Sequence, residues 1–242
     1  MRFTVFWSFI ALLFPSIVFS EEIHVLSGGA ARGFIEPLAA KFAAHKVSLE
    51  YQTMGHLQKT MAGAGARKYD MLIVTTEVAA KLGLDARPLA RVGIGVAVHE
   101  SAPLPDISTP AALRKTLLAA KSVVYINPET GTSGKYVVEM FKKLDIFEEL
   151  KAKSTLVDSG YAVAPVGEGK VELGIHQISE ILPVKGTKLV GPLPAEFQRY
   201  TVYAGAVAPG TPKAAAVRQF LQYLSSPEAR AGLARAGYSA PE

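Results

Sequence analysis

No cysteine occurs among the 242 residues, which excludes disulfides, thiolate metal sites and a lipid-bearing cysteine at a cleavage point. Runs of lysine or arginine are lacking as well. The 26 basic and 21 acidic residues are interspersed and leave a net charge of +5. That balance argues against nucleic acid as a partner and leaves only a weak bias toward anions. Internal repeats and low-complexity tracts are missing. His24, His45 and His99 stand at no metal-ligand spacing, and no motif calls for a metal or a cofactor.

What is present begins with an apolar run from Phe3 to Phe19, preceded by the single charge of Arg2 and closed by Val18-Phe19-Ser20 before Glu21-Glu22. This pattern predicts a cleavable signal peptide over residues 1–20, export to the periplasm and no stable membrane insertion once the leader is removed. The alternative, an uncleaved anchor, is disfavoured by Pro15 and by the shortness of the run. The remainder is long enough for one large core or two smaller ones.

Strand and helix patterns alternate through that remainder. Ile23 to Leu26 reads as a short buried strand, and Ala31, Phe34, Ile35, Leu38, Ala39, Phe42 and Ala43 share one helical stripe. Strands are expected at Val47–Gln52, Met71–Val74, Val92–Val98, Val123–Ile126, Leu173–Ile175 and Tyr200–Val207. Helices are expected at Leu57–Ala62, Thr76–Leu82, Ser133–Leu144, Ala214–Leu224 and Pro227–Ala236; another opens at Thr109-Pro110, an N-cap followed by proline, and runs to about Ala120. The alternation predicts an α/β fold with mixed, mostly parallel sheets flanked by helices. Surface connections at 101–106 and 192–196 suggest two lobes, residues 21–98 plus 202–242 and residues 99–201, with the loops at the strand ends facing a shared cleft.

The first of those loops, Ser27-Gly28-Gly29-Ala30-Ala31-Arg32, joins a strand to a helix. It aims backbone N–H groups and a helix start at one small space, which suits an anion. Arg32 lies off the apolar stripe, where its guanidinium can fork onto a carboxylate or simply face water. Thr53-Met54-Gly55-His56 occupies another strand-to-helix junction, and His56 offers an acid–base group or nothing more than a polar first turn. Ser133 in Thr132-Ser133-Gly134 serves either as part of a cap or as an anion donor. Gln177 and His176 follow a buried strand; the glutamine offers both donor and acceptor, while the histidine has a core role as its alternative.

Taken with Ala62-Gly63-Ala64-Gly65 leading to Asp70-Met71-Leu72-Ile73, Asn127 to Gly134, Gly167 to Ile175, and Phe220 through Ser226-Pro227-Glu228-Ala229 to Tyr238, these pieces span the whole chain after the leader. In that order and spacing the chain resembles the periplasmic substrate-binding proteins of ABC transporters, in the two-lobed type II class that contains the molybdate-binding proteins. The resemblance implies a monomer whose lobes close on a small anionic ligand and hand it to a membrane permease. It places Ala30 and Met54 where molybdate binders carry serines, Ser133 at a small residue of the third loop and Gln177 at a tyrosine. Loss of those hydroxyls from a small set of donors argues against molybdate itself, because an unpaired buried oxygen costs about 1–3 kcal/mol.

The expected ligand set is therefore Ser27, Gly28, Gly29, Ala30, Arg32, Met54, Gly55, His56, Ser133 and Gln177, with a small organic carboxylate as ligand. Some members of the class resemble periplasmic aconitate isomerase, which interconverts trans- and cis-aconitate. On that second reading His56, His176 or Glu36 is the proton shuttle. A third reading keeps molybdate, tungstate or another inorganic oxyanion in a rebuilt set of donors.

Overall fold

The computed structural model describes residues 20–241; the expected leader lies outside the described residues except for Ser20. Two mixed sheets, each with helices on both faces, account for the α/β architecture. The described chain begins with β1 (Glu22–Gly28), α1 (Arg32–Lys41), β2 (Lys46–Gln52), α2 (Met54–Ala62), β3 (Met71–Thr75), α3 (Thr76–Lys81) and β4 (Ala86–Val92). Next come β5 (Ile94–His99), α4 (Pro110–Ala119), β6 (Val123–Ile126), α5 (Thr132–Lys143), α6 (Phe147–Lys151), β7 (Ser154–Val157), α7 (Ala164–Gly167), β8 (Leu173–Gln177), α8 (Ile178–Ile181) and β9 (Thr187–Pro192). The chain closes with β10 (Thr201–Val207), α9 (Ala214–Leu224), α10 (Pro227–Ala231) and β11 (Tyr238–Ser239).

The first sheet has the order β11-β4-β10-β3-β1-β2 and the second β7-β6-β8-β5-β9. β1 runs parallel to β2 and β3, and β6 parallel to β7 and β8. All pairings made by β10, β11 and β5 are antiparallel. The antiparallel share is thus larger than the strand–helix alternation predicts, because the strands that follow a crossing between sheets re-enter from the opposite end.

Local chemistry sets most of these elements. All five residues of β3 and all four of β6 are buried, as expected of strands covered on both faces. Thr53, Thr75, Thr109 and Ser226 each accept a backbone N–H of the helix they precede, and Pro110 and Pro227 follow two of them at the first helical turn. One side of the first sheet buries Ile23, Val25, Phe34, Ile35 and Phe220; the other buries Leu26, Leu57, Leu72 and Val74. The second sheet does the same with Ile94, Val96, Leu113 and Phe141 on one face and Val124, Val163 and Ile181 on the other.

The expected strand Val92–Val98 is in fact two, in different sheets. Gly93 ends β4 in the first sheet, and β5 already belongs to the second. The return comes before Thr201, which pairs with Val92 in the first sheet although it was expected in the second lobe. Continuous apolar character across Gly93 hides the break. The crossing is held by Gln198 on the return connection. Its Oε1 accepts from the Ile94 N–H at 2.7 Å and its Nε2 donates to the Ile94 carbonyl at 2.9 Å, so an amide side chain replaces a strand neighbour. A Cβ on Gly93 would approach that amide to 3.1 Å. No helix among the described residues is long and apolar enough to cross a membrane.

Candidate functional site

A cavity of about 220 Å³ lies where loops from both sheets meet. From the first sheet it takes Gly29, Ala30 and Arg32 after β1, Tyr51 to Met54 at the end of β2 and the start of α2, and Tyr203 of β10. From the second it takes Ile126, Gly131 to Ser133 before and in α5, Ser159 to Tyr161 after β7, and His176, Gln177 and Glu180 of β8 and α8.

On the first side, β1 ends in a single 3-10 turn, Gly29–Ala31, before α1 begins. The Ala30 carbonyl accepts hydrogen bonds from Ser179 Oγ at 3.1 Å and from the Tyr238 hydroxyl, so α8 and the chain terminus both hold this loop. Arg32 opens α1. Its guanidinium sits 4.1 Å from the Tyr51 ring centroid and only 3.8 Å from Glu36 Oε1, and its side chain is 41% exposed. The aromatic face orients the cation without neutralising it.

On the second side, α5 is twelve residues long and starts at the cavity with no side-chain cap from Gly131. Its first-turn N–H groups and positive dipole end are directed to that space. Gly134 fixes this helix start against β6: a Cβ there would lie 2.1 Å from the Ile126 carbonyl oxygen. Ser133 is buried beside it.

The segment from β8 into α8 supplies the buried polar groups. Gln177 donates through Nε2 to Thr201 Oγ1 at 2.8 Å and accepts from the Tyr203 hydroxyl at 3.1 Å, so its amide links β8 to β10 across the two sheets. His176 Nδ1 receives the Gln177 N–H at 2.7 Å and lies 3.3 Å from Glu180 Oε2. Nδ1 is thus an acceptor. The shared proton belongs on Glu180, and the imidazole is neutral with its hydrogen on Nε2. Burial drives both groups the same way, toward the uncharged form. It lowers the histidine pKa to about 4 and raises the Glu180 carboxyl to about 8, the latter partly opposed by the charge of Arg32. His176 Nε2 is buried with no hydrogen-bond partner among the described residues.

Of the residues expected from sequence, Gly29, Ala30, Arg32, Met54, Ser133, His176 and Gln177 are brought together around the cavity. Five others stand away from it. Ser27 and Gly28 are strand residues paired with Tyr51 and Gln52, and the Ser27 hydroxyl donates to the Gly28 carbonyl at 3.1 Å. A Cβ on Gly28 would come within 2.4 Å of Met54 Cε, the movable end of a flexible side chain, and 3.0 Å of Tyr203 Cε1. The Gly55 N–H is already donated across the cleft to the Thr130 carbonyl at 3.2 Å. His56 is exposed on α2 with Nδ1 3.0 Å from Thr53 Oγ1, and Glu36 is exposed on α1. Sequence reasoning missed Tyr51, Tyr161, Glu180 and Tyr203. For Glu180 a signal existed: it lies four residues after His176. Among the described residues no group of three or more His, Asp or Glu could hold a metal ion.

Comparison with known proteins gives a consistent frame. A family model described as bacterial extracellular solute-binding protein matches residues 23–239. Aconitate isomerase of a Pseudomonas species is 32% identical over 169 residues, covering 69% of this chain; the chain spans 62% of that relative's length. Among solved structures, the periplasmic molybdate-binding protein of Azotobacter vinelandii superposes with a TM-score of 0.72 at 20% identity, over 91% of this chain and all of that one. The sulfate-binding protein of Mycobacterium tuberculosis gives 0.73 at 15% identity, over 92% and 88% of the two chains. These two structures share the fold.

Proposed function

The chain belongs to the bacterial extracellular solute-binding protein family, and we propose that its cavity takes up a small organic polycarboxylate. Arg32 carries this reading. It is a cation at the cavity edge, propped on Tyr51 and only loosely paired with Glu36, and it faces a space that the start of α5 also borders. A planar fork suits a carboxylate, and the α5 N-terminus suits a second one. Ala30 and Met54 contribute no hydroxyl, so the first side meets an anion chiefly through Arg32. In this account the protein is exported to the periplasm by its leader, binds as a monomer between two lobes (21–98 plus 202–242, and 99–201, adjusted to the crossing at Gly93), and delivers its ligand to an ABC-type permease. A thermal-shift panel tests it. Citrate and cis- or trans-aconitate raise the melting temperature, and molybdate, tungstate and sulfate do not; the opposite pattern refutes the reading.

A second reading, isomerisation of the bound tricarboxylate, is favoured by the buried His176–Glu180 pair on the cavity wall and by the aconitate isomerase relative. A receptor that only captures and releases an anion has no need of a carboxyl that titrates near neutral pH. Incubation with trans-aconitate followed by chromatography for the cis isomer decides between capture alone and turnover.

A further inference from the structure

We propose that Glu180 is the acid–base residue for an allylic proton shift on an unsaturated polycarboxylate bound in the cavity, with His176 as the residue that positions it. This rests on the polycarboxylate reading above and assigns the chemistry to atoms.

Three observations place Glu180 in that role. It rises from α8 on the second side and reaches the glycine turn of the first. A Cβ on Gly29 would lie 3.3 Å from Glu180 Oε1, so glycine at that position leaves the carboxyl uncovered. The glutamate side chain is only 11% exposed, and its near partner is a histidine rather than a lysine or arginine. Burying a carboxyl without an ion pair costs stability, and such groups concentrate where proton transfer is needed. Finally, His176 is locked from one side. Its Nδ1 lone pair is met by the Gln177 N–H and by the Glu180 carboxyl, so the imidazole stays neutral and holds the carboxyl in place.

The groups facing the carboxyl from the surrounding elements are His176 on β8, Arg32 on α1, Tyr161 after β7, Tyr203 on β10 and Tyr238 on β11. Burial raises the pKa of all three tyrosines above the ordinary range. The proton equilibrium at neutral pH therefore belongs to Glu180.

The step balances within the site. Ionised Glu180 takes a proton from a methylene that lies next to a carboxylate and is allylic to the double bond. The electron pair of the broken C–H bond spreads over the allyl system and into a carboxylate, whose added negative charge meets Arg32 and the α5 start. Glu180 then returns the proton to the far allylic carbon. The double bond has moved, the carboxylate base is restored, and no oxidant, reductant or co-reactant is consumed. Freedom to rotate about the former double bond in the delocalised anion allows the cis and trans forms to exchange.

The test uses the mature chain with trans-aconitate in deuterated water, followed by NMR. Expected are deuterium at the allylic positions and the cis isomer, with a rate that rises through about pH 8 as Glu180 ionises. Glu180→Gln should lower exchange at least about 100-fold while trans-aconitate still raises the melting temperature. Glu180→Asp should recover part of the exchange. His176→Ala should move the pH midpoint downward, since the protonated carboxyl loses its acceptor, with a smaller loss of rate. Undiminished exchange in Glu180→Gln overturns the residue assignment. Binding by the wild type with no exchange at any pH overturns the allylic shift but leaves the binding reading standing. No binding by the wild type overturns both.

Discussion

On the side supplied by the first sheet, charge is carried by Arg32, 41% exposed and leaning on an aromatic ring; on the side supplied by the second, it is latent in His176 and Glu180, 3% and 11% exposed. The exposed guanidinium stays ionised and acts over several ångströms, screened by water and salt. The buried pair pays for its burial by staying neutral, and so holds a proton that moves near neutral pH. In the proposed account one cavity separates recognition of an anion from handling of a proton, and the two roles fall on different halves of the fold. A similar contrast holds for backbone rigidity. The α5 start is pressed onto β6 backbone through Gly134, whereas Gly29 on the opposite side meets only a side-chain oxygen.

The sharpest way to break this contrast is at the glycines. Gly134→Ala places a Cβ 2.1 Å from a backbone carbonyl and should cost about 3 kcal/mol in denaturant unfolding, while Gly29→Ala should cost about 1 kcal/mol or less. Equal losses would remove the distinction. Arg32→Gln comes next. It should weaken tricarboxylate binding about 10- to 100-fold by calorimetry, or about 1.4–2.8 kcal/mol, with no change in the melting temperature of the free protein.

The buried pair predicts a pH signature of stability. Folded Glu180 keeps its proton to about pH 8 but the unfolded chain releases it near 4.5, so rising pH between those values favours unfolding by up to about 1.4 kcal/mol per unit. His176 opposes this only between about pH 4 and 6.5, where the unfolded chain binds a proton that the folded one refuses. The two slopes offset each other below pH 6.5. Stability should then fall from about 6.5 to 8, and Glu180→Gln should flatten that fall. The smallest effect is expected at His56. Exposed on α2 and away from the cavity, His56→Ala should leave ligand affinity within about twofold and stability within about 0.5 kcal/mol.

Elements with a full period were legible in the sequence. Val123–Ile126 and Ala214–Leu224 have the bounds that pattern predicts, and Thr109-Pro110 caps α4 as expected. Other short elements were not legible. α6, α7, α8 and β7 have only four or five residues and, unlike β6, are not wholly apolar runs that stand out without a repeat. β4 was hidden by Pro88, which takes its place opposite Ala204 where the pairing register shifts. The same limits shaped the site. Loops at strand ends were found through glycine, cap residues and Arg32. Glu180 was not, because its importance comes from burial against His176 and from contact with a glycine turn about 150 residues away in the chain. His56 and Glu36 suggested themselves by residue type alone, and their helices turn both outward.

The central claim, a cavity built for an organic polycarboxylate, is tested most directly by isothermal titration of the protein at pH 7 with trans-aconitate and, separately, with molybdate. The account predicts saturable one-to-one binding of the tricarboxylate that Arg32→Gln weakens at least about tenfold, and no saturable binding of molybdate. Tight molybdate binding with no heat from the tricarboxylate would contradict it.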